Sequence, residues 1–190
     1  EVDIRWQATD ELRIIAALGL LDAKYDKFDG AACTAIQQSA VQGLGVLTPD
    51  SPVTSALGCQ QLFNGAGEAA GQVQDISGGQ LGSDYSGSVA FEYERPVSAN
   101  MMWFAHLDVN FTDGYFMTGD LDPIDYQSAL ELFNVRTGLR TENWTIMAYG
   151  RNIGDEFYAT GAADLPVARG SHFIYSGTTA VYGLQLAYEF

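Results

Sequence analysis

The sequence is poor in positive charge: nine Lys and Arg stand against twenty-four Asp and Glu, for a formal net charge of −15. That deficit excludes nucleic acid as a partner, because phosphate binding draws on Lys and Arg. It equally excludes a polybasic patch for anionic lipid. Long apolar runs are missing too. The best stretch, Leu12 to Leu21, contains Arg13 and falls short of the ~20 residues a membrane helix needs. No segment shows a convincing 3.6-residue apolar period, and no low-complexity tract is present. Cysteine is scarce. Cys33 and Cys59 have no close Cys or His partner with which to build a zinc site. Both lie in one stretch rich in Gly, Ala, Ser and Gln, so a local disulfide in an oxidising compartment is the reading, with two free thiols as the alternative. Such a bridge would staple the loop by roughly 3 kcal/mol on the loop-entropy account.

Aromatic residues and alternation fill the space these absences leave. Aromatics make up 12% of the chain, and hydrophobic residues 47%, yet the mean hydropathy is only −0.03. Apolar side chains must therefore be interleaved with polar ones. The last nine residues show how: Tyr182, Leu184, Leu186, Tyr188 and Phe190 share one parity, while Gly183, Gln185, Ala187 and Glu189 share the other. Successive strand residues point to opposite faces, so this segment has one apolar side and one polar or small side. The same pattern recurs in 1–6, in 12 to about 24, in 84–95, in 101–111, in 131–140 and in 144 to about 153. The expectation is an all-β fold of about seven antiparallel strands.

The connections alternate strictly between short and long. Short turns fall at 8–11, 96–100 and 141–143. Long loops fall at about 27–82, 113–127 and 154–175. In a meander this puts every short turn at one end and every long loop at the other. That is the asymmetry of an outer-membrane β-barrel, with short periplasmic turns and long extracellular loops. The first and last strands then both descend toward the periplasm, which requires an odd strand count. Bacterial single-chain barrels have an even number, and seven strands cannot close with every backbone group satisfied in lipid. The expectation is a section of a larger transmembrane barrel, starting in mid-barrel.

Particular segments carry a family resemblance. Asn134–Arg140 (NVRTGLR), Tyr149–Tyr158 (YGRNIGDEFY) and Tyr182–Phe190 (YGLQLAYEF) resemble the last three strands of TonB-dependent outer-membrane receptors. LDAKYDKF at 21–28 resembles the strand-to-loop stretch found some strands earlier in that family, and DISGGQL followed by a strand ending in YERP, at 75–96, resembles its next descending strand. The resemblance covers nearly the whole chain apart from the variable loop. It implies the last seven strands of a barrel of about 22 strands, filled by a plug domain and driven by the inner-membrane TonB complex, in a Gram-negative outer membrane. Plug, TonB-contacting segment and earlier strands are absent from this sequence, so the partners implied are the remainder of the barrel, the plug, outer-membrane lipid and a scarce ligand. Siderophore chelates, cobalamin, oligosaccharides and peptides all remain open. Two alternatives stand beside this reading: a small stand-alone outer-membrane barrel for binding or structure, and a barrel hydrolase.

The candidate residues follow from the same geometry. His106 and Asp108 are two apart on a strand and face the interior together. A His beside a carboxylate can activate water, but a hydrated interior needs polar residues throughout, so neither is assigned a catalytic role and the chain is read as no enzyme. Arg136, Arg140 and Arg151 should point into the lumen near Glu92 and Glu94, as a charge ladder rather than an anion-guiding wall. Trp6, Trp103 and Trp144 each flank a short turn, where, with Tyr188 and Phe190, an interfacial aromatic girdle belongs. Gly183, Leu186, Tyr188 and Phe190 resemble the terminal signal read by barrel-assembly machinery. Asp113, Asp120, Asp122 and Asp125 crowd one loop. Oxygen-rich loops can hold Ca²⁺ weakly, but the spacing lacks an EF-hand pattern and a solvated acidic loop is the default. His172 reads as a surface histidine that could touch ligand or metal. No cofactor is expected.

Overall fold

A computed structural model describes residues 1–165 and 171–190. Seven strands form one antiparallel meander: β1 (Val2–Gln7), β2 (Leu12–Leu20), β3 (Tyr85–Ser98), β4 (Met101–Thr112), β5 (Leu130–Arg140), β6 (Trp144–Arg151) and β7 (Val181–Tyr188). Each pairs only with its neighbours in sequence order, so the chain is all-β and the sheet is open, with β1 and β7 as its edges.

Register turns the alternation of single strands into two continuous faces. Trp6 pairs with Ile14, Ile14 with Phe91 and Phe91 with Leu107. Leu107 pairs with Val135, and farther along Ile146 pairs with Leu186. This face is apolar from edge to edge. It is also bare: Ile4, Trp6, Ile146, Leu184 and Leu186 are all more than half exposed. Thr137 brings a hydroxyl to it, and that hydroxyl is satisfied from within. It accepts from Trp103 Nε1–H at 2.9 Å and donates to the Phe104 carbonyl at 2.9 Å.

Two boundaries differ from the alternation pattern. β2 ends at Leu20 rather than near Lys24, because 21–28 peels away to meet 75–81. There Tyr25 N–H donates to Gly79 C=O, Gly78 N–H to Tyr25 C=O, and Phe28 N–H to Ser77 Oγ. The two stretches singled out by their resemblance thus pair with each other. β3 runs on through Pro96 to Ser98, past the expected turn, with a register shift at Pro96/Ser98. A bulge tolerates a residue that has no N–H to donate.

The connection from β2 to β3 is no simple loop. It holds a four-stranded sheet of Ala31–Ala32, Ser55–Ala56, Cys59–Phe63 and Ala69–Gln74, together with an α-helix, α1 (Ala35–Gln42). The sequence expectation of no helix is corrected here. Thr34 caps α1 in a reciprocal box with Gln37: Gln37 N–H donates to Thr34 Oγ1, and Thr34 N–H donates to Gln37 Oε1. Such boxes fix helix starts locally. Cys33 and Cys59 are joined by a disulfide and pack with fully buried Val41. The molecule's buried apolar residues lie mainly in its loops, whereas the seven-stranded sheet buries little on its apolar face.

Candidate functional site

Two features carry chemistry: the polar face of the sheet and a buried cluster among the long loops.

On the polar face the pairings align one residue from every strand. Gln7, Arg13, Glu92, His106, Arg136, Tyr149 and Gly183 follow one another across the sheet. Arg13 pairs with Glu92, whose other oxygen lies 3.7 Å from His106 Nδ1. One row toward the short turns, Arg140 lies 3.6 Å from Glu94 and sits over the Phe104 ring at 5.1 Å. Asp108, Asn134, Arg136, Tyr149, Arg151 and Gln185 line a shallow cleft of about 420 Å³ between β4 and β7. The structure therefore places Arg136, Arg140, Arg151, His106 and Asp108 on one face; of the three arginines expected near Glu92 and Glu94, Arg140 lies beside Glu94, while Glu92 is met by Arg13 and His106. His106 is flanked in register by Glu92 and Arg136 rather than by a Ser or Cys. The neighbourhood is an ion-pair ladder of Arg13, Glu92 and His106.

The aromatic residues near the short turns gather on the apolar face. Trp144 stacks on Tyr188 at 4.5 Å, Tyr188 meets Phe190 edge-on at 5.0 Å, and Trp103 lies 5.4 Å from Tyr93. Trp6 is 58% exposed on the same face. Of the terminal residues, Leu186 pairs with Ile146 and Gly183 with Tyr149. A Cβ on Gly183 would come within 2.5 Å of the far end of the Tyr149 ring, which would have to swing aside to admit it. A second aromatic group, Tyr85 and Phe111, with ring centroids 6.4 Å apart, marks the loop end. The eight steps from Trp103 to Phe111 along β4 span about 27 Å at ~3.4 Å per residue, a height of about 19–22 Å for a strand tilted by ~35–45°. Sequence reading missed this pair because Tyr85 and Phe111 lie on different strands and only their register brings the rings together.

The loop end is held together by segment 113–129. Gln74 Nε2 donates to Asp120 C=O at 2.8 Å, and Tyr25 donates to Gly119 C=O at 3.2 Å, so the β2–β3 connection leans on it. From the other side, Ala159 N–H donates to Gln127 Oε1 at 2.7 Å. Between these ties lies the cluster. Asp122 caps a short 3₁₀ turn, Pro123–Asp125, through Ile124 N–H. That turn carries Asp125 into the interior, where Oδ2 accepts from Thr118 Oγ1. A small two-stranded sheet, Ala159–Asp164 with His172–Ser176, brings Asp164 opposite His172. His172 Nδ1 lies 3.1 Å from Asp164 and 3.3 Å from Asp125, and Nε2 lies 3.7 Å from Asp122.

This corrects two expectations. Asp122 and Asp125 are 1% and 0% exposed, so the acidic loop is not solvated, and His172, its side chain 7% exposed, is no surface histidine. Asp113 stands apart, accepting from Gly114 N–H at the end of β4. Burial pushes the Asp164 carboxyl above its ordinary value, and the charge of Asp120 pushes it further. Leu121, between Asp120 and Asp122, holds a left-handed φ of +56°, a conformation that costs a branched residue about 1–2 kcal/mol. The stretch 154–175 expected as the last long loop includes residues 166–170, which lie outside the described residues.

Comparison by sequence finds no matching family model and no matching curated protein. Comparison by structure finds similarity to the siderophore receptor PiuA of Acinetobacter baumannii, with a TM-score of 0.55 and 13% identity over 97% of this chain. The chain spans about a fifth of that receptor's length (20%).

Proposed function

We propose that this chain is a section of the barrel wall of a TonB-dependent outer-membrane receptor and contributes to uptake of a scarce ligand. The observation that carries the reading is the apolar face, continuous across seven strands, more than half exposed on the edge strands and mostly half-buried between them. A soluble monomer rarely bares a contiguous apolar patch beyond a few hundred Å², and lipid is the solvent that suits this one. Short turns at one end, long loops at the other and the likeness to a siderophore receptor fold support the same reading.

In that setting the polar face lines the interior. Its arginines, glutamates and His106 form a hydrated wall for the plug and for passing ligand, and the loops make first contact with the ligand. The TonB complex would act through a plug that these residues do not include. The proposed location is the outer membrane of a Gram-negative cell.

Intact-mass measurement of the native polypeptide tests the reading. The expected result is a chain far heavier than the 20.5 kDa of these residues, found in the outer-membrane fraction and shifting on gels when boiled. A water-soluble 20.5 kDa species with no partner chain would overturn it.

A further inference from the structure

We propose that Asp122, Asp164 and His172, backed by Asp125, form a binding site for one first-row divalent transition ion, of the Zn²⁺ or Mn²⁺ class. The inference stands on loop geometry alone and does not depend on the membrane reading.

The first observation is spatial. One ligand atom from each of Asp122, Asp164 and His172 lies within 4.8 Å of the others. Ions bound at about 2.0–2.2 Å hold neighbouring ligand atoms roughly 3–4.3 Å apart, so side-chain rotation closes the difference.

The second observation is independent of the acidic character of the cluster. The His172 side chain is more than nine-tenths buried, and neither ring nitrogen makes a hydrogen bond. Buried polar atoms without partners are rare in folded proteins. Both nitrogens point among carboxylates, and Asp122 Oδ2, Asp125 Oδ1 and Asp164 Oδ1 are equally without hydrogen bonds. Two carboxylates converge on Nδ1, which can offer one proton at most.

Charge leads the same way. Among the described residues, the ion pairs of Asp122, Asp125 and Asp164 are with His172 alone. An imidazolium would supply one positive charge against three carboxylates, of which Asp122 and Asp125 are fully buried, and buried charge left uncompensated is costly. A divalent ion supplies two and leaves the imidazole neutral as its ligand. The donor set names the class. One imidazole nitrogen with carboxylate oxygens suits Zn²⁺ or Mn²⁺, whereas Ca²⁺ takes oxygen ligands. The ligands come from two different connections, β4–β5 and β6–β7, so the ion would clip two loops together.

The test uses the native protein in detergent, stripped with EDTA and dialysed. Titration with ZnCl₂ or MnCl₂, followed by calorimetry and metal analysis, should give one equivalent more in the wild type than in His172→Ala or Asp164→Asn. The affinity of that equivalent should fall at least ten-fold in either variant. Zn²⁺ or Mn²⁺ should also protect the 159–176 stretch from protease, and EDTA should remove the protection. Unchanged β-sheet circular dichroism and an unchanged unfolding midpoint in the variants establish that the fold is retained. Equal metal content in wild type and His172→Ala, binding no tighter than millimolar, or a site that takes Ca²⁺ and survives loss of His172 would each overturn the proposal.

Discussion

Asn152 shows how one residue can govern a strand exit. It follows β6 directly, is 3% exposed and holds a φ of +47°. Its Nδ2 donates to Glu156 and Thr178 carbonyls at 2.8 and 2.9 Å, while Oδ1 accepts from Glu156 N–H at 3.0 Å. Asn152→Ala removes all three bonds and leaves two carbonyls and an N–H without partners. The expected cost is about 2–4 kcal/mol, read as a lowered urea midpoint in micelles, and Asn152→Gly, which relieves only the backbone, should recover little of it. Asp164 gives a pH prediction of definite sign. Its raised value means that the folded loops hold that proton to higher pH than the unfolded chain does. This group's unfavourable effect is absent below the ordinary aspartate value of about 4 and grows as pH rises through the raised one. With chelator present, amide exchange in Ala159–Asp164 and His172–Ser176, corrected for intrinsic rate, should quicken as pH rises above the ordinary aspartate value of about 4. Asp164→Asn should flatten that dependence.

The strands were legible because each is a period-two pattern long enough to read by itself. β4 and β7 could be assigned from parity alone, and the pairings place their apolar positions on one face. α1 was not legible. Two turns are too short for a periodicity, and its start rests on a single box, Thr34 with Gln37, within a Gln- and Ala-rich stretch. The small sheet around it escaped for the same reason, since its strands are two to six residues long. The acidic half of the loop cluster was visible in sequence, but His172 lies 47 positions beyond Asp125 and only the fold brings them together. For the β2–β3 module the disulfide is the consequential bond, worth about 3 kcal/mol by loop entropy. Reduction should expose residues between 30 and 75 to protease while the seven-stranded sheet stays resistant, as fragment mapping would show. Simultaneous loss of the sheet would contradict this independence of parts.

For the whole molecule, the decisive property is that its two sheet faces differ in chemistry, one apolar and one polar. Leu184 and Gln185 are adjacent in the middle of β7 and point opposite ways. Leu184→Arg should cost about 2–4 kcal/mol if its face meets the lipid midplane, whereas Gln185→Arg should be close to neutral. Folding free energies in lipid vesicles measure both, and equal costs would remove the membrane assignment. At the loop end, the stretch from Gly119 to Asp125 touches the β2–β3 module on one flank and the His172 hairpin on the other. Three connections that are far apart in sequence are thereby keyed into a single arch. A disturbance arriving at any one of them is shared by the other two, so that end of the sheet yields as one body instead of as separate flaps.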